Sequence, residues 1–227
     1  MNFRIATLAL AGLFVASAAN AADKLDCNGI GYEAGMGNLA LGAITGGKTY
    51  FVANQSDKPK CPSTDASCKR RGYGLAGDQV VVDTDGGTKG YVCVAFIGAK
   101  GVESDGWMPQ ANVKITPAVV NWVGTWKRDT TSEIDITKKS ATTAEVSGTA
   151  TYGEEERQHD GEIDAVIDSR ASFQSFATSG DNQIAFSKAG QDDCAVEMRQ
   201  LGNYLYVNDN ENCGGANVTF SGLYAKH

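Results

Sequence analysis

The chain has few of the residues that usually carry out chemistry. It contains two histidines, and none of its six cysteines belongs to a Cys-x-x-Cys pair. A zinc site normally needs such pairs, and a Ser-His-Asp or Cys-His arrangement needs a positioned imidazole. His159 lies in a charged segment and His227 is the last residue, so neither has the setting of a catalytic base. We therefore predict no catalytic residue, no metal ligand and no cofactor.

Long apolar runs are also absent after the first residues. The run Ile5 to Ala16 follows Arg4 and precedes Ala19-Asn20-Ala21. This order predicts a secretory signal peptide at residues 1–21, with cleavage after Ala21 or Ala22. The run is much shorter than the ~20 residues that span a bilayer. We expect an exported protein, periplasmic or secreted, that is not inserted in a membrane.

The chain has fewer basic residues than acidic residues. Lys and Arg total 20 against 27 Asp and Glu, a formal net charge of -7, and loss of Arg4 with the signal peptide makes it -8. No basic stripe is evident in the sequence, so nucleic acid is not an expected partner. An acidic surface favours a cationic partner, although it also serves simply to maintain solubility.

The cysteines are present in an even number, which predicts three disulfides in an oxidising compartment. Cys61 and Cys68 enclose a short segment of turn residues, and Cys194 and Cys213 flank a hairpin-like stretch. Cys27 and Cys93 then remain for each other. Six cysteines can form fifteen different sets of three disulfides. We predict this set because two of its pairs join cysteines that are close in the sequence.

The part of the chain between the signal peptide and residue 116 is predicted to consist of two regions. Residues 22–47 form a glycine-rich lead-in whose glycine spacing does not match a phosphate-binding loop. Residues 48–116 contain five short strand-like segments, and Thr84-Asp85-Gly86-Gly87 is predicted to be a hairpin turn. This pattern predicts a small β-barrel.

The same region resembles the bacterial SH3-like fold. Tyr50-Phe51-Val52 is followed by a long loop, Gly77-Asp78 precedes a valine run, and Gly106-Trp107 precedes the last strand. The resemblance covers residues 48–116. It implies binding to cell wall, peptides or other domains rather than catalysis.

A linker at residues 117–120 contains Pro117 and leads to a second module at residues 121–227. This module alternates apolar and polar residues, as in Ile134 and Ile136 against Asp135. Such alternation is typical of antiparallel strands with one buried face. Seven or eight strands closing into a barrel are predicted, so the whole chain should be all-β.

The second module also shows family resemblances. Gly124-Thr125-Trp126 is similar to the Gly-x-Trp of lipocalin-like barrels, in which the tryptophan plugs one end. Residues 213–224 are similar to the C-terminal domain of LprI-like exported lysozyme inhibitors, a resemblance covering residues 121–226. Ser147 to Tyr152 is similar, with one extra residue, to the Ser-Gly-x-x-Tyr loop of other lysozyme inhibitors.

These observations lead to three hypotheses. The first is a non-catalytic exported protein whose partner is peptidoglycan or a protein of the cell envelope, possible roles being recognition of cell-wall material or inhibition of a wall-degrading enzyme such as lysozyme. The second is a hydrolase that uses carboxylates of the second barrel. The third is a structural assembly subunit of the envelope. The ligand-binding residues are not identified by the sequence.

Overall fold

The computed structural model describes residues 26–30, 36–88, 90–98, 101–180 and 182–227. The predicted signal peptide and part of the glycine-rich lead-in lie outside these residues. The described chain forms two antiparallel β-sheets and short 3-10 turns, which confirms the all-β, two-module prediction. Within the described residues, no helix is long and apolar enough to cross a bilayer. The 3-10 turns are Met36–Asn38, Ala66–Cys68, Gln110–Asn112, Glu155–Arg157 and Phe186–Lys188.

The first sheet has seven strands in the order β3-β2-β6-β5-β4-β1-β7. Its strands are β1 (Leu39–Ile44), β2 (Thr49–Val52), β3 (Lys69–Gly74), β4 (Gln79–Thr88), β5 (Tyr91–Ile97), β6 (Glu103–Pro109) and β7 (Val113–Ile115). Strand β1 lies between β4 and β7, so the first module begins inside the predicted lead-in. Strand β3 was also missed, because most of its residues are polar or exposed on the edge of the sheet.

The predicted hairpin turn at Thr84 to Gly87 is wrong. These residues belong to β4, and the β4–β5 register shifts between Asp83 and Gly87 as a bulge. The buried Asp83 carboxylate accepts a hydrogen bond from the Asp85 amide at 3.0 Å, which stabilises the bulge. The chain reverses only between Thr88 and Tyr91.

The second sheet has nine strands in the order β11-β10-β9-β8-β16-β15-β14-β12-β13. Its strands are β8 (Gly124–Lys127), β9 (Ser132–Lys138), β10 (Thr143–Tyr152), β11 (His159–Asp168), β12 (Phe173–Ser179), β13 (Asn182–Ile184), β14 (Cys194–Leu201), β15 (Tyr204–Asp209) and β16 (Gly222–Lys226). The predicted alternation is confirmed in β9, where Ile134 and Ile136 are buried and Asp135 is exposed. The alternation of Ala144, Val146, Gly148 and Ala150 in β10 predicts that Tyr152 also faces the core, but Tyr152 is exposed at the end of this strand.

Glutamine side chains help to close this second sheet into a nearly complete barrel. The Gln183 amide donates to the Val166 carbonyl at 3.0 Å, and its oxygen accepts from the Val166 N–H at 2.7 Å. Gln174 makes the same pair of contacts with the backbone of Asp168, at 2.8 and 3.2 Å. Each glutamine amide therefore takes the place of a backbone hydrogen-bond partner between β11 and the strands β12 and β13.

The interior of the second module is filled by large side chains. Trp122, Trp126, Phe176, Phe220 and Tyr224 are all almost fully buried. The indole of Trp126 donates to the Trp122 carbonyl at 2.8 Å, and the indole of Trp122 donates to the Ala171 carbonyl at 2.8 Å. Both buried indole donors are thus satisfied, and the barrel is a packed core.

The two modules pack against each other. Leu41 of β1 belongs to the same buried cluster as Leu201, Tyr204 and Leu223 of the second sheet. The Tyr204 hydroxyl also donates to the backbone carbonyl of Gln79 at 2.9 Å. Residues from both sheets therefore form one core at the junction, in addition to the core of each module.

All three predicted disulfides are confirmed. Cys27 pairs with Cys93, Cys61 with Cys68, and Cys194 with Cys213. The first ties the N-terminal segment to β5, the second closes the loop before β3, and the third joins β14 to the segment before β16. No cysteine in the described residues is free. Three such bridges indicate an oxidising environment outside the cytosol.

Candidate functional sites on two surfaces

The two histidines and two neighbouring glutamates that could take part in chemistry lie on the surface. His159 begins β11 and His227 is the terminal residue, and both are exposed. Glu154 and Glu156 lie in the turn between β10 and β11, where their side chains are also exposed. Among the described residues, no group of three His, Cys, Asp or Glu side chains can hold a metal ion.

Two cavities of the second module are open depressions in its surface. One of about 350 Å³ lies on the outer side of β9, β10 and β11 and includes Asp135, Glu145 and Asp164 in its lining. Another, of about 820 Å³, lies at the end of the second module beside Tyr152 and His159. A ligand in either of these two cavities would therefore be bound on the outside of the second module.

The first candidate site is a basic surface on β2 and β3, which we call the basic face. It consists of Lys48, Tyr50, Lys69, Arg71 and Tyr73. Tyr50 and Tyr73 are directly opposite each other in the register of the two antiparallel strands. Lys69, Arg71 and Tyr73 are all exposed on this edge strand, in a stretch where the β2–β3 register shifts between Tyr50 and Val52.

Aromatic rings hold the lysine ammonium groups of the basic face. The rings of Tyr50 and Tyr73 lie 5.6 Å apart, measured between centroids. Lys48 Nζ lies 3.7 Å from the Tyr73 centroid, and Lys69 Nζ lies 3.5 Å from the Tyr50 centroid. Cation–π contacts of this kind are attractive and restrict the flexible lysine side chains.

The positive charges of the basic face are not neutralised. Lys48, Lys69 and Arg71 are exposed and make no ion pair with any described residue. Neighbouring Arg70 differs, because it bonds to the Asp57 carboxylate at 2.8 Å. Interaction with the Lys48 ammonium lowers the pKa of Tyr50 below its usual value, and Lys69 acts in the same direction. The face is therefore suited to an anion.

The second candidate site is the outer side of β9, β10 and β11, which we call the acidic face. It consists of Glu133, Asp135, Glu145, Glu162 and Asp164. The register places these residues on one side of the sheet, because the residues alternating with them, such as Ile134 and Ile163, are buried in the barrel. Lys127 pairs with Glu133 and Lys139 with Glu145, each at 2.5 Å, whereas Glu162 and Asp164 make no ion pair with described residues.

Sequence patterns identified neither face. Lys48 and Tyr50 meet Lys69 and Tyr73 only because β2 pairs with β3 across the disulfide-closed loop. The chain as a whole has a net charge of -7, yet residues 48–74 contain six Lys and Arg against two Asp. The total charge of the chain therefore does not reveal this local cluster of cations. A count of charge by segment is the sequence property that could have shown it.

Comparisons of the chain with protein-family models, with curated proteins and with solved structures give no match. The resemblances to SH3-like and LprI-like domains therefore depend on the quoted motifs alone.

Proposed function

We propose that this chain is an exported, non-catalytic binding protein of the cell envelope, periplasmic or secreted, and that its basic face binds anionic cell-wall material. The three disulfides support a location in an oxidising compartment.

Two properties of the described residues favour binding over turnover: the packed interior of the second module and the surface positions of the groups that could take part in chemistry. The interior of the second module is occupied by residues such as Trp126 and Phe220, so it offers no enclosed reaction chamber. All described cysteines are in disulfides, and the histidines are exposed at chain or strand ends. The remaining carboxylates of interest lie on open surfaces rather than in a buried pair that would tune their roles.

The single observation that carries the proposal is the set of unpaired cations beside two tyrosines. Peptidoglycan combines sugar rings with the free carboxylates of its stem peptides. Tyrosine rings contact the apolar faces of sugars, and Lys48, Lys69 and Arg71 supply charge for carboxylates. Residues of an edge strand are accessible to a polymer, and β3 is such a strand.

A sedimentation assay tests the proposal. The oxidised protein is mixed with insoluble peptidoglycan, and bound protein is measured in the pellet, with chitin as a neutral glycan of similar sugars. We expect retention by peptidoglycan and much weaker retention by chitin. Lys48→Ala/Lys69→Ala/Arg71→Ala should weaken binding about tenfold, because each exposed charge pair contributes about 0.5 kcal/mol.

The matched control is Lys114→Ala/Lys138→Ala/Lys188→Ala, which removes three exposed positive charges located elsewhere. This control should bind like the original protein apart from a small salt-dependent loss. Equal weakening by both triple variants, or no retention by peptidoglycan, contradicts the proposal. Release of soluble fragments from the pellet would instead support the hydrolase hypothesis.

Inhibition of lysozyme remains the alternative within the same binding class, and the same protein can be tested in a lysozyme turbidity assay. The segment Ser147 to Tyr152 lies within β10 and pairs with both neighbouring strands. It therefore does not project as the loop that the resemblance implies. Inhibition without peptidoglycan binding would favour this alternative over the wall ligand.

A further inference from the structure

The acidic face has a regular pattern that continues across three strands. The register aligns Asp135, Ser147 and Asp164 in one row. The neighbouring row consists of Glu133, Thr149 and Glu162. Each row thus has a carboxylate on both outer strands and a hydroxyl on the central strand. Consecutive rows are separated by two residues, or about 6.8 Å along the strands.

Such a surface is suited to a polycation rather than to a single metal ion. Among the described residues no set of three acidic, cysteine or histidine side chains is arranged to hold a metal. Exposed carboxylates spaced along a strand match positive charges spaced at every second residue of an extended segment. The partner should therefore carry cations at alternate positions on an extended chain.

Strand β3 of this same chain has that arrangement. Lys69 and Arg71 are separated by two residues, are exposed, and lie on an edge of the first sheet. Neither forms an ion pair with a described residue, so both charges are available to a neighbour.

We propose that the protein associates head to tail, with the basic face of one copy bound to the acidic face of the next. Lys69 and Arg71 of one copy contact the rows that contain Asp164 and Glu162 in the other. Because the two surfaces differ, the contact is heterologous and leaves one free face at each end of the assembly. The inference does not depend on wall binding and is tested with the protein alone.

Sedimentation velocity tests this association. At about 20 mM salt the sedimentation coefficient should rise with protein concentration, and at about 500 mM salt the protein should sediment as a monomer. Lys69→Ala/Arg71→Ala and Glu162→Gln/Asp164→Asn should each weaken association about fivefold. Glu154→Gln/Glu156→Gln, which removes two acids outside the acidic face, should associate like the original protein.

Mixing the two defective variants gives the decisive result. Lys69→Ala/Arg71→Ala retains an intact acidic face, and Glu162→Gln/Asp164→Asn retains an intact basic face. Their mixture should form a one-to-one dimer and nothing larger, which also shows that both variants are folded. A monomer at every salt and protein concentration, or assembly that both variants leave unchanged, overturns the inference. A mixture without dimers would likewise exclude the head-to-tail contact.

Discussion

The basic and acidic faces show how one fold class gives two surfaces of opposite character. In the first module, residues 48–74 carry six Lys and Arg against two Asp, whereas residues 121–227 carry nine against seventeen acids. The cations of the basic face are held by tyrosine rings, and the carboxylates of the acidic face are separated by serine and threonine. On the acidic face Glu133 and Glu145 are paired with lysines, whereas Glu162 and Asp164, like the cations of the basic face, make no ion pair with a described residue.

The difference shows why the average charge of a chain is a poor guide to its partners. A net charge of -7 would repel polyanions at long range. At contact distance, however, screening with a Debye length of about 8 Å at physiological salt makes the local surface dominate. The basic face can therefore attract an anion although the whole molecule is acidic.

The largest expected effect comes from removing the disulfide that ties the N-terminal segment to the first module. Cys27 and Cys93 are 66 residues apart, whereas Cys61 and Cys68 are 7 apart. Loop-closure entropy predicts that Cys27→Ala/Cys93→Ala lowers the free energy of unfolding by about 4 kcal/mol, and Cys61→Ala/Cys68→Ala by about 2 kcal/mol. Urea unfolding of both variants measures the difference. Equal losses would show that loop length does not determine how this module is stabilised.

A smaller effect is expected from a glycine beneath the acidic face. A Cβ at Gly148 would lie 2.6 Å from Ile163 Cγ1 and 3.1 Å from Phe220 Cε1, so the packed barrel must shift. We expect Gly148→Ala to lower the free energy of unfolding by about 1–2 kcal/mol.

Gly47→Ala is the control in the other module, because Gly47 has open space around its Cβ position beside Lys48. This control should leave the urea midpoint nearly unchanged. If Gly148→Ala proves equally neutral, the barrel beneath the acidic face is more adaptable than its close contacts indicate.

The local features of the fold were predictable from the sequence. Turn residues between Cys61 and Cys68, and alternation around Ile134 and Ile136, depend only on neighbours in the chain, and both predictions are confirmed. Strand β1 was missed because glycines obscure its buried Leu39 and Leu41. The bulge in β4 was mistaken for a turn because Asp and Gly residues favour both structures.

The two candidate sites required information that lies outside any local pattern. Alternation correctly predicts that Asp135 points away from the barrel, but only the register places Ser147 and Asp164 beside it. Similarly, Tyr50 and Tyr73 are 23 positions apart and meet through strand pairing. Shifting either pairing by one residue would move these side chains to the opposite side of the sheet and abolish both faces.

The smallest expected effect concerns the pH dependence of the basic face. The Lys48 ammonium, and in the same direction that of Lys69, lowers the pKa of Tyr50 below the ordinary value of a tyrosine. Raising the pH through this lowered pKa converts Tyr50 to an anion, so the basic face loses net positive charge. Retention by peptidoglycan should therefore begin to decline at a lower pH than it would if Tyr50 had the pKa of an ordinary tyrosine. Association through the basic face should decline in parallel, because it uses the same surface.

Two variants separate Tyr50 from general alkaline effects. Tyr50→Phe keeps the ring and removes the ionisable hydroxyl, so its binding should persist further into the alkaline range. Lys48→Ala removes the largest cause of the lowered pKa, and ultraviolet titration of the tyrosinates should show one midpoint moving upward. An identical alkaline decline in Tyr50→Phe and the original protein would mean that Tyr50 does not control the charge of this face. Lysine deprotonation would then be the remaining explanation for the loss of binding.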